Sequence, residues 1–136
     1  MPQTHRDLAR RWFEEVWNAR RDAAVHELLA ENAVAHMEGA DLVGPERFLE
    51  ARAALVGAFP NIRVTVEDVV ADADRAVVRW SAAAHHTGEL LGIPPSGRPV
   101  QFRGITWMTF RDGKIVEGWD AWNLGGLLDA CRAANP

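Results

Sequence analysis

The apolar residues of this chain change their spacing at Pro60, and that change restricts the fold more than any other feature of the sequence. Before Pro60 they recur at helical intervals. Leu8, Trp12 and Val16 form one stripe, flanked by Ala9, Phe13 and Trp17, in a segment that reads as helix over 4–29. After Pro60 they alternate: Ile62, Val64 and Val66 take turns with Arg63, Thr65 and Glu67, the period of a strand with one buried face. A chain that makes its helices first and then runs strand after strand through tight turns is α+β. Hairpin-linked strands need no crossover, so the sheet is expected to be antiparallel.

The finer reading places breaks and turns. Residues 18–22 interrupt the opening helix, and Asp22 is expected to cap a short second helix carrying Val25, Leu28 and Leu29. Residues 33–38 alternate as a strand that contains His36, and Gly39-Ala40-Asp41 turns the chain. Pro45 opens a third helix with Phe48, Leu55 and Phe59 on one face, and Pro60 ends it. Asp72-Ala73-Asp74 joins the strand beginning at Ile62 to another over 76–86. Residues 87–99, with Gly92, Pro94, Pro95 and Gly97, form a loop crossing a sheet edge. Strands over 100–110 and 114–122 flank Arg111-Asp112-Gly113, and Gly125-Gly126 precedes a short C-terminal helix.

At 136 residues the chain is expected to be one domain, 1–136. A formal charge of −4 with scattered Lys and Arg offers no field for nucleic acid. No apolar run nears the roughly 18 residues a membrane span needs, and the polar start has no signal-peptide core, so a cytoplasmic location is expected. Cys131 is the one cysteine, which rules out an intrachain disulfide and a cysteine-based zinc cage.

His86-Thr87-Gly88-Glu89-Leu90-Leu91-Gly92-Ile93-Pro94-Pro95-Ser96-Gly97-Arg98 is followed by Arg111-Asp112-Gly113-Lys114-Ile115-Val116-Glu117, Trp119-Asp120 and Gly126-Leu127-Leu128. Upstream stand Trp12-Phe13-Glu14-Glu15-Val16-Trp17-Asn18, His36 and Gly44-Pro45-Glu46. Together these resemble the SnoaL-like polyketide cyclase and ester cyclase branch of the NTF2-like superfamily, over nearly the whole chain. The resemblance implies a cone-shaped, strongly curved antiparallel sheet whose N-terminal helices close an apolar pocket. It also implies no cofactor and a homodimer or higher homo-oligomer. Asp120 matches the aspartate that serves as acid and base in an intramolecular aldol closure, and His36 matches a pocket histidine. Thr106 stands where characterised cyclases often carry a second histidine, and Asn123 where many members carry aspartate.

Such chemistry requires a proton taken from carbon, a stabilised enolate oxygen and a proton returned, and one carboxyl group can perform both transfers. Indole walls would desolvate Asp120 and raise its pKa. Gly118, Asp120 and Trp122 share one face of their strand while Trp119 and Asn123 face away. Trp122, with Trp107 and Trp80, is expected to form the pocket wall for a hydrophobic carbonyl compound. Of the adjacent pair His85 and His86, only one can enter the pocket, and His86 is the candidate beside His36; loop anchoring is its plainer role. Arg103 reads first as a solvated strand residue and second as an oxyanion partner. Trp12 and Trp17 are expected in the core. A zinc site from His36, His86 and Asp120 fits no ligand spacing, so no metal is expected. An epoxide hydrolase of the superfamily would need an Asp-Arg-Asp set of which only Asp120 fits. The alternative to an enzyme is a protein that holds a small molecule in the same cavity without converting it.

Overall fold

The computed structural model describes residues 4–132. Thr4 opens α1 (His5–Arg11) with a reciprocal cap: its hydroxyl accepts from the Asp7 amide at 3.1 Å, and the Asp7 carboxylate accepts from the Thr4 amide at 3.3 Å. The chain then widens into a π-helix, Trp12–Asn18, where the spacing predicts a continuous α-helix. Bonding from residue i to i+5 brings Trp17 under Trp12, and both indoles are buried on the same side as Phe13 and Val16. Asp22, expected as the cap, is instead the first residue inside α2 (Asp22–Leu28); Arg21 takes the cap position, and the Asp22 carboxylate bonds Arg52. Arg52 is buried and also donates to the Val16 carbonyl at 3.1 Å, tying the π-helix to α3 (Pro45–Ala58).

Leu29, read as helical, instead begins β1 (Leu29–Met37). The turn is confined to Glu38-Gly39, and Ala40 and Asp41, also read as turn, start a short strand, β2 (Ala40–Val43). The remaining strands are β3 (Arg63–Ala71), β4 (Arg75–His85), β5 (Pro99–Arg111) and β6 (Lys114–Trp122). They form one curled, open sheet in the order β2-β1-β6-β5-β4-β3. One pairing departs from the antiparallel expectation: β1 runs parallel to β6. The hairpin rule governs neighbours in sequence, and these two strands are separated by most of the chain. Pro99, expected in the loop, is the first residue of β5, where a missing N–H is tolerated.

Two irregularities decide what faces inward. In β3 the register shifts between Val66 and Asp68, so Val64 and Val66 before the bulge and Val69 and Ala71 after it point the same way despite opposite parity. In β6 a shift opposite Thr109 and Phe110 does the same for Ile115 and then Gly118, Asp120 and Trp122. The helices pack over that inward face, and the loop after β4 is tied to the end of α3. The amides of Thr87 and Gly88 both donate to the Ala58 carbonyl, at 3.1 and 3.0 Å. A side chain at Gly88 would stand 1.9 Å from the Gly57 carbonyl oxygen, so only glycine fits this approach. The glycine pair at 125–126 lies within α4 (Leu124–Arg132), one turn earlier than the sequence indicates.

Candidate active site

A cleft opens between the inward face of the sheet and the π-helix, bounded also by Leu55 of α3 and Met37 of β1. It is narrow, with about 460 Å³ between its walls when the mouth is counted. Its lining is aromatic: Trp80, Phe102 and Trp122 from the sheet face Trp12, Phe13 and Trp17 from the helix. The rings touch in sequence, Phe13 against Trp80 at 6.3 Å, Trp80 edge-on to Phe102 at 6.0 Å, and Phe102 against Trp122 at 5.1 Å. Gly104 permits that closeness. A Cβ there would stand 2.6 Å from the Trp80 ring and 2.8 Å from Trp122 Cβ.

Among the described residues, two polar ones line the cleft, Thr106 and Asp120, directly opposite one another on β5 and β6. The indole N–H of Trp80 donates to Thr106 Oγ1 at 2.9 Å. An indole can only donate, so the Thr106 hydroxyl proton is free for Asp120 Oδ1, 2.5 Å away. This relay fixes one oxygen of the carboxyl group and leaves the other, Oδ2, for the cleft. Burial pushes the Asp120 pKa above the usual aspartate value; the Thr106 bond opposes that rise, and the negative charge of Glu38 adds to it. Glu38 sits at the β1–β2 turn, where its Oε1 lies 3.5 Å from the Trp122 amide.

Of the residues expected at the site, Asp120, Thr106, Trp80 and Trp122 are brought together. The others lie elsewhere, for reasons that can be named. His36 projects from the opposite face of the sheet, stacked on Trp119 at 5.2 Å, with Nδ1 2.9 Å from Asp41 and Nε2 2.7 Å from Glu117. Trp107 pairs across strands with Trp119, so it too faces outward; it is 41% exposed and lies under the Arg75 guanidinium at 5.6 Å. Arg103 shares that outer face opposite Ser81, which also separates it from Asp120 and leaves the Asp-Arg-Asp set of an epoxide hydrolase unassembled. Asn123 caps α4, its Oδ1 accepting from the Gly126 amide at 2.8 Å.

His86 is fully buried but lies outside the cleft, its ring tilted on Phe59 at 5.6 Å. Its Nδ1 accepts from the Ser96 amide at 3.2 Å and meets the Ser96 hydroxyl at 2.9 Å, pinning the loop that follows β4. Among the described residues no group of three or more His, Cys, Asp or Glu stands together as metal ligands would. No helix among them is long and apolar enough to cross a membrane. Trp12 and Trp17 are buried in the core as expected and also line the cleft, which the sequence does not show, and it does not single out Phe13, Phe102, Met37 or Glu38 as site residues. The available signal was the aromatic stripe of the first helix, set opposite strands already rich in indoles.

The family model for SnoaL-like polyketide cyclases matches residues 7–131. The chain belongs to that family. Among solved structures, a proposed SnoaL-like polyketide cyclase from Jannaschia sp. CCS1 superposes with a TM-score of 0.89 at 24% identity, covering 99% of both chains, a likeness of fold. IdmH, a proposed polyketide cyclase from Streptomyces antibioticus, shares 28% identity with a TM-score of 0.79, over 90% of this chain and 94% of its own. AclR, a proposed hydroxylase from Streptomyces galilaeus, shares 25% identity with a TM-score of 0.80, over 94% and 85%. No curated protein matches the sequence.

Proposed function

We propose that this protein is a cofactor-free enzyme of the cyclase or isomerase type, acting on a hydrophobic carbonyl compound with Asp120 as both base and acid, and that it works as a cytoplasmic homodimer. The observation that carries the reading is a single carboxyl group in an aromatic cleft, hydrogen-bonded on one oxygen and desolvated enough to raise its pKa. Desolvation makes the ionised form a stronger base than aspartate in water. Asp120 Oδ2 would take a proton from the carbon beside a carbonyl, the C–H electrons forming the enolate. The enolate carbon would attack a second carbonyl, forming the ring C–C bond, and the resulting alkoxide would recover the proton from Asp120. The carboxylate is thereby restored with no outside reagent.

The test needs only a simple ketone. With 2-tetralone in deuterated water, hydrogen–deuterium exchange at the carbon beside the carbonyl is followed by NMR. Asp120→Asn is expected to bring the exchange down to the buffer rate while leaving the protein folded. Equal exchange in the two proteins would remove Asp120 from the mechanism. A second reading, a binding protein without turnover, draws support from the absence, among the described residues, of any other ionisable group in the cleft lining. It predicts that 2-tetralone is retained without exchange and that Asp120→Asn changes nothing.

A further inference from the structure

An enolate needs a donor for its oxygen as well as a base for its proton, and among the described residues the lining of the cleft holds no Arg, Lys, His, Asn or Gln to supply one. The remaining donors can be counted. Trp80 spends its N–H on Thr106, and Thr106 spends its proton on Asp120. That leaves the indole N–H groups of Trp12, Trp17 and Trp122. None has a hydrogen-bond partner among the described residues, and none is among the polar atoms sealed off from solvent without one. Each of the three can therefore donate to water in the open cleft and, once a ligand displaces that water, to an acceptor on the ligand.

Position selects among the three. The carbon losing its proton and the oxygen gaining charge are two bonds apart, so the donor must stand beside Asp120 on the same wall. Trp122 is two residues along β6, and side chains at that spacing share a strand face. Gly104 lies opposite it and leaves its side chain room. Trp12 and Trp17 come from the facing helix, and each also packs against Phe48, at 4.8 and 5.9 Å.

We propose that Trp122 Nε1–H donates to the carbonyl oxygen of the ligand and holds its charge as the enolate forms, so that the cleft takes an uncharged, flat compound presenting an acceptor next to Asp120. The catalytic half of this rests on Asp120 as the base; the binding half does not. With no cation in the lining among the described residues, a carboxylate ligand would bring a second negative charge against Asp120 without compensation.

The chain has six tryptophans, and each gives one indole N–H signal in a nitrogen-15 spectrum, assignable by through-bond correlation. The probe is 2-naphthol, whose oxygen sits where an enolate oxygen would and whose binding also quenches indole fluorescence. On titration the Trp122 signal is expected to move downfield. Trp80, already bonded to Thr106, and Trp107 and Trp119, on the outer face, are expected to stay in place. Trp122→Phe keeps a ring against Phe102 and should lower 2-naphthol affinity about tenfold, the worth of one hydrogen bond to a partly charged oxygen. It should slow 2-tetralone exchange by about 100-fold, mainly in kcat. Quenching with an unmoved Trp122 signal, or no binding of 2-naphthol at all, overturns the proposal. If the signal moves but wild-type protein exchanges no deuterium, the donor assignment stands and catalysis by Asp120 falls.

Discussion

Asp120 is held between opposed influences, and their balance has a sign that can be measured. Burial penalises the charged carboxylate more than the Thr106 bond relieves it, so the folded protein keeps the proton to a higher pH than the unfolded chain does. The stability gained from neutral Asp120 is therefore complete below the ordinary aspartate value, about 3.9, and is lost as pH rises through the higher folded value. Asp120→Asn removes that loss. Thermal unfolding from about pH 4 to 8 should show the variant equal to wild type in acid and equally or more stable near neutrality. A variant less stable at neutral pH would mean the ionised carboxylate is a structural partner. Thr106→Val, nearly isosteric, strands the Trp80 N–H without an acceptor and should cost about 1–3 kcal/mol by denaturant unfolding. His36 runs the other way in function but not in sign. Its bond to Glu117, then that to Asp41, raise its pKa, so the stability it adds is present below the ordinary value near 6.5 and fades as pH rises through the folded value. Glu117→Gln should lower the His36 titration midpoint seen by proton NMR.

At the scale of elements, what the sequence made legible follows from periodicity, and what it hid follows from breaks in periodicity. The helix-then-strand order, the hairpins at Asp72 and Asp112, and the pairing of Asp120 with Trp122 on one face all come from spacing two or spacing three to four. Counting by twos from buried Ile115, however, points Asp120 outward; the bulge after Ile115 reverses this, and bulges leave no mark in an alternating pattern. His36 and Trp107 were misplaced for a related reason. Both lie on well-formed strands, but which face of a strand is inward depends on the register of its neighbours, and each is paired with outward Trp119. The π-helix was equally silent, since Trp12, Phe13, Val16 and Trp17 suit a core stripe and a cleft wall alike. Gly104 offers an element-level test. Gly104→Ala keeps ordinary strand geometry but drives a methyl into Trp80, the Trp122 side chain and the Ala121 carbonyl, so it should destabilise by about 1–3 kcal/mol and weaken 2-naphthol binding. Unchanged unfolding would mean that the two indoles separate freely.

At the scale of the whole molecule, the sheet has a second face that the helices do not cover. Ile105, Trp107 and Trp119 stand there at 48, 41 and 40% exposure, a row of large apolar side chains across β5 and β6. On the β3–β5 side stand Arg63, Arg79 and Arg103 with one carboxylate, Glu67, and on the other side the carboxylates Asp41 and Glu117 flank His36. Such a face is complementary to itself when turned through half a revolution: the apolar row meets its own copy, and each basic end meets an acidic end. That is the requirement for an isologous contact, and the proposed homodimer would form in this way. Replacing both Trp107 and Trp119 by Glu leaves the cleft and its relay untouched, because neither indole lines it. Sedimentation should then show a dimer for the wild type and a monomer for the double variant, with each binding 2-naphthol at the same affinity. Raising the salt concentration should weaken the wild-type dimer only partly, since it screens the charged ends and not the apolar row. A double variant that sediments like wild type would move the contact to another surface.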